Sequence, residues 1–205
     1  MKKNTKKRNA AILTSFLLYF SSIPAHAAAA EQPNKNARKP LKEYCETAPC
    51  RKNMQFKLKK KDGTYFEYTA ELTPPVVQPE FILIFPEETL FIEATEGKNA
   101  PIELKSVPEN THPERTIVFK FNQGDDAKTD TSMFLTVHNP FSRPLRYNLA
   151  MTPLEQQSKG LYKTSSCPVM AEGQVFEHWP YPIFQLIVSN MHFLKKSDDI
   201  MACRE

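Results

Sequence analysis

From residue 54 onward, apolar and polar residues alternate with a period of two over much of the chain, the pattern of strands that bury one face. Met54, Phe56 and Leu58 alternate with Gln55, Lys57 and Lys59. After Lys61-Asp62-Gly63, the residues Phe66, Tyr68, Ala70 and Leu72 alternate with Glu67, Thr69 and Glu71. The two runs predict a hairpin, and the pattern selects its register. A two-residue Asp62-Gly63 turn sets Leu58 opposite Glu67, which mixes an apolar and a charged residue on one face. A three-residue loop, Lys61-Asp62-Gly63, sets Leu58 against Phe66, Phe56 against Tyr68 and Lys57 against Glu67, and both faces then agree. Gly63 supplies the left-handed residue that such a loop needs.

Residues 73–79, with three prolines, read as an extended linker. Residues 81–85 (Phe-Ile-Leu-Ile-Phe) form a continuous apolar run, which predicts a central strand buried on both faces. Further strands are expected at residues 90–93, 102–107, 117–122, 133–138, 145–151 and 183–188. About nine short strands joined by Pro-rich turns predict an all-β protein, a single antiparallel β-sandwich. Helical periodicity is missing apart from one candidate turn at residues 154–158. With 5 glycines and 17 prolines, long stiff connections are expected more than tight hairpins. Residues 134–148 (Phe-Leu-Thr-Val-His-Asn-Pro-Phe-Ser-Arg-Pro-Leu-Arg-Tyr-Asn) read as strand, turn, strand. This stretch is similar to strand pairs of immunoglobulin-like and fibronectin-like domains of exported bacterial proteins. The resemblance implies an immunoglobulin-like architecture and assigns no residue a role.

The N-terminal residues follow a different pattern. Lys2, Lys3, Lys6, Lys7 and Arg8 precede an apolar run at residues 10–20, then Pro24 and Ala25-His26-Ala27. This is the charged, apolar and small-x-small order of a cleavable signal peptide, expected over residues 1–27. The apolar run, about ten residues long, is too short to anchor the chain across a bilayer, and no later segment is long and apolar enough to do so. Residues 28–43 are small, polar and basic and read as a flexible leader. The β-sandwich domain is expected over residues 44–205. The expected address is the periplasm, with secretion as the alternative.

Cleavage changes the charge balance. The chain has 27 basic and 23 acidic residues, and the signal holds five basic and no acidic ones. The remaining 178 residues therefore carry 22 basic against 23 acidic residues, a formal net of −1. The basicity belongs to the export signal and gives no ground for a nucleic-acid partner. The four cysteines, Cys45, Cys50, Cys167 and Cys203, are even in number and lack paired Cys-x-x-Cys spacing. In an exported chain they predict two disulfides rather than a zinc site. The expected pairs are Cys45–Cys50, closing a short loop, and Cys167–Cys203, pinning the tail.

Motifs of chemistry are few. His112, His138, His178 and His192 show no metal-ligand spacing. Thr164-Ser165-Ser166-Cys167 lacks the surroundings of a nucleophile, and Gly124-Asp125-Asp126 with Asp130 lacks calcium-loop spacing. No catalytic residue, metal or cofactor is expected. The most distinctive stretch is residues 176–182 (Phe-Glu-His-Trp-Pro-Tyr-Pro), stiffened by prolines and holding the one tryptophan. Phe176, His178, Trp179 and Tyr181 are the candidate partner-binding residues, since rigid aromatics anchor interfaces. The competing expectation is that Trp179 and Phe176 cap the core, and Phe141 carries the same ambiguity. The resulting expectation is a non-enzymatic binding or structural protein whose partner is another protein of the cell envelope. An inhibitor or immunity-type protein and an exported hydrolase with a site assembled from distant strands are the alternatives.

Overall fold

The alternation at residues 54–72 forms a hairpin of β1 (Arg51–Lys59) and β2 (Tyr65–Thr73). Leu58 pairs with Phe66, Phe56 with Tyr68 and Lys57 with Glu67, the register of the three-residue loop. Lys60 N–H donates to Thr64 O at 2.8 Å and Gly63 N–H to Lys60 O at 3.0 Å, with Gly63 at φ +81°. Asp62 Oδ1 accepts both the N–H and the hydroxyl of Thr64, at 2.9 and 2.6 Å. The computed structural model describes residues 40–124, 131–195, 198 and 202–204. The signal peptide, most of the leader and the Asp125, Asp126 and Asp130 loop lie outside the described residues. One helical turn, α1 (Leu41–Tyr44), precedes Cys45.

The other strands are β3 (Phe81–Ile84), β4 (Glu88–Glu96), β5 (Pro101–Val107), β6 (Thr116–Gln123), β7 (Met133–His138), β8 (Leu145–Pro153), β9 (Tyr162–Thr164), β10 (Gln174–Trp179) and β11 (Ile183–Phe193). They form two antiparallel sheets, a five-stranded one in the order β10-β7-β6-β4-β5 and a four-stranded one in the order β3-β11-β8-β9. Alternate residues of both sheets meet in one core, with Phe119, Phe121 and Leu135 from the first and Leu149, Leu186 and Val188 from the second. This is a β-sandwich. Two of its strands, β9 and β10, lie outside the predicted set.

The apolar run at residues 81–85 corrects an expectation. β3 is an edge strand, paired with β11 alone among the named strands. Its apolar character has another cause. Residues 76–78 cover its outer edge, with Leu83 N–H on Val76 O and Gln78 N–H on Phe81 O, both at 2.8 Å. Phe85, just beyond β3, lies 6.0 Å from the rings of Phe56 and Tyr68 on the hairpin. Phe184 packs edge-on against Tyr68 at 5.2 Å. Aromatic packing of this kind docks a two-stranded sheet that could not stand alone.

A partly buried ion pair fixes the base of the hairpin. Arg51 Nη1 donates to both carboxylate oxygens of Glu88, at 2.8 and 2.9 Å, and its Nε to Pro74 O at 3.0 Å. The guanidinium also lies over the Phe85 ring. Nearer the tip, the Gln123 side chain accepts Lys59 N–H and donates to Lys59 O, substituting for a strand at that point. The turn at residues 139–144 is organised by the buried Asn139. Its amide donates to Arg143 O and Met170 O and accepts Phe141 N–H. Phe141 is buried, edge-on to Phe193, so it belongs to the core.

Candidate functional site

Residues 174–179 form a regular strand, not the stiff loop expected for residues 176–182. Only Pro180, Tyr181 and Pro182 make the turn into β11. The structure divides the three candidate residues on β10, Phe176, His178 and Trp179, by the parity of the strand. Val175, Glu177 and Trp179 face inward; Gln174, Phe176 and His178 face outward. Trp179 is 5% exposed, edge-on to Phe121, and its Nε1–H donates to Thr164 Oγ1 at 3.0 Å. It is a core residue with its one polar atom satisfied. Phe176 is 64% exposed and does not cap the core. Tyr181 donates to Met151 Sδ at 3.8 Å and lies apart from Phe176, beside a cleft at the end of the sandwich.

The outer face around Phe176 is aromatic and carries no formal charge on its two outermost strands. His178 pairs in register with Phe134 of β7, their rings 4.9 Å apart. Phe176 stands opposite Thr136, and Gln174 opposite His138. The outer edge of β10 is also informative. Asn139 N–H donates to Gly173 O, which sets 139 and 173 as a hydrogen-bonded pair at the start of the β7–β10 ladder. Bonded and non-bonded pairs alternate in an antiparallel ladder. Residues 175, 177 and 179 therefore bond to β7, and the N–H and C=O groups of Gln174, Phe176 and His178 point away from it. These six groups have no partner among the described residues.

Beneath β10 lies a cluster of buried polar groups. Glu177, 9% exposed, accepts Cys167 N–H at 2.8 Å. Burial pushes its carboxyl up from the usual range, and the Cys167 N–H opposes this. Burial, reinforced by the charge of Glu177, pushes the neighbouring Tyr147 hydroxyl up, and Tyr147 Oη has no hydrogen-bond partner among the described residues. Ser166 Oγ donates to Tyr147 O at 2.7 Å, and Ser166 and Arg204 exchange backbone hydrogen bonds at 2.9 and 3.0 Å. Cys167–Cys203 ties the tail here, and Cys45–Cys50 closes the loop before β1, the two pairs expected from sequence.

The cleft beside Tyr181 has a volume of about 350 Å³ and is lined by Met151, Tyr162, Tyr181, Lys61, Lys163 and Glu155, among others. Its carboxylate is Glu155. The carboxylates that burial perturbs upward, Glu88 and Glu177, lie elsewhere. Among the described residues no group of three His, Cys, Asp or Glu side chains could hold a metal ion, and no helix is long and apolar enough to cross a membrane.

Sequence reasoning found Phe176 and His178 but not the strand that carries them, nor Glu177 and Tyr147. The signal was the parity shared by Val175, Glu177 and Trp179, obscured by a charge among the inward residues and a phenyl ring among the outward ones. Comparison with known protein families, characterised proteins and solved structures finds no match.

Proposed function

We propose that the chain is an exported, non-enzymatic binding module of the cell envelope, acting in the periplasm, that engages another protein through the outer face and edge of β10. The observation that carries this reading is Phe176, 64% exposed on a regular strand. A phenyl ring left in water forgoes burial worth about 1.5–3 kcal/mol, and ordered aromatics of this kind anchor interfaces. Phe134 and His178 widen the apolar area around it. Two disulfides suit a compartment that oxidises thiols. The surface offers a strand edge and an aromatic face, chemistry of recognition rather than of bond cleavage.

The test is affinity capture from the envelope fraction with the oxidised protein as bait, beside a Phe176→Ser variant. Phe176 touches little of the core, so the variant should keep the wild-type melting temperature. Retention of the partner should fall by roughly tenfold, the loss typical of a central aromatic anchor. Equal retention by a folded variant removes the site from β10.

A further inference from the structure

Edge strands invite pairing, and natural sheets suppress it with shortness, bulges, Lys or Pro on the edge, or a covering segment. The other edges of this sandwich carry such devices. β3 is four residues long and covered by residues 76–78. β9 is three residues long with Lys163 at its centre. β5 begins at Pro101, pairs with β4 through a register shift, carries Lys105 and holds Glu103 at φ +54°. In the docked hairpin, β1 carries Lys52, Lys57 and Lys59, and β2 carries Glu67 and Glu71. β10 differs. It pairs with β7 over six residues without a shift and has no Lys, Arg or Pro. Its one charge, Glu177, points inward, which elsewhere discourages pairing. Here the carboxylate is already buried and bonded to Cys167 N–H.

We infer that β10 pairs antiparallel with β10 of a second copy of this chain about a two-fold axis at Phe176. The inference rests on reading β10 as the contact strand and names its occupant. The register follows from the residues. Opposed residues of an antiparallel pair share a face, so the axis must pass through a residue rather than between two. An axis at Glu177 opposes two carboxylates. An axis at Phe176 opposes the two phenyl rings, places Gln174 against His178 of the other copy, and brings no two charges together. It also aligns the unpaired groups of Gln174, Phe176 and His178 with their counterparts, giving six backbone hydrogen bonds between copies. A closed two-fold contact of this kind leaves no edge to propagate. It joins the two five-stranded sheets into one, with both Phe176 rings at its centre.

Sedimentation equilibrium of the oxidised full protein should give twice the monomer mass. Gln174→Pro removes an N–H that points off the sheet, a position an edge strand tolerates. That variant should sediment as a monomer with unchanged near-ultraviolet circular dichroism. Gln174→Cys with His178→Cys places two cysteines across the axis about 5.5 Å apart between Cα atoms, within disulfide range. The pair should link two copies on oxidation. Gln174→Cys alone should not, since its two copies lie roughly 13 Å apart. A wild type that sediments as a monomer overturns the inference. If its capture of another envelope protein still depends on Phe176, the reading of β10 as the contact strand survives; if not, both fall. A dimer that resists Gln174→Pro and does not cross-link uses another face, which also overturns it.

Discussion

Glu177 is one residue from Phe176, yet the parity of β10 sends the ring to solvent and the carboxylate into the core. Burial raises its carboxyl above the ordinary range, and one N–H, from Cys167, partly offsets this. The sign of the consequence follows from linkage. The native state binds this proton more tightly than the unfolded chain. Stability from this group is full below the ordinary carboxylate pKa and is lost as pH rises through the raised value. Glu177→Gln keeps an acceptor for Cys167 N–H and removes the titration. Urea unfolding between about pH 4 and pH 7 should show the variant gaining on the wild type as pH rises. A wild-type profile unchanged by the substitution would remove Glu177 from the pH response. Glu88 shifts in the same direction through burial, opposed by Arg51 and by the Phe85 N–H, so a residual slope of the same sign should persist.

At the scale of elements, the hairpin is legible in the amino-acid pattern and the strand carrying the candidate site is not. β1 and β2 obey one rule on both faces, and Gly63 sits where the loop needs a left-handed residue, so pattern and turn chemistry agree on one register. Residues 81–85 mislead because an unbroken apolar run reports burial without reporting what does the burying. Here it is a linker segment and a docked hairpin, neither of which is a strand of the run's own sheet. β10 is hidden because its inward set contains Glu177 and its outward set contains Phe176, which inverts the alternation. The ion pair that seats the hairpin is equally invisible, because Arg51 and Glu88 are 37 residues apart. Both side chains are 13% exposed. Arg51→Ala leaves a partly buried carboxylate with the Phe85 N–H as its remaining partner and should cost about 2–3 kcal/mol by urea unfolding. Amide exchange in β1 and β2 should quicken before that of β6 and β7. Arg51→Met combined with Glu88→Leu should recover most of the loss, because it removes both charges together.

At the scale of the whole molecule, the two disulfides are unequal. Cys45–Cys50 spans 5 residues and Cys167–Cys203 spans 36. Loop entropy assigns about 2 kcal/mol to the first and about 4 kcal/mol to the second. Replacing each pair by serines and comparing urea midpoints should reproduce that order; equal losses would mean that the tail is held by its other contacts. The strand order has a further effect. β3, the first strand of the sandwich, pairs with β11, its last, and Ile84 meets Leu186 102 residues later. β11 also separates β3 from β8 in its sheet. The four-stranded layer therefore cannot close on a partly synthesised chain, and contacts so distant in sequence form slowly. A chain halted before β11 emerges therefore leaves the apolar inner face of the five-stranded sheet without its complete cover, so the last strand decides when the core closes.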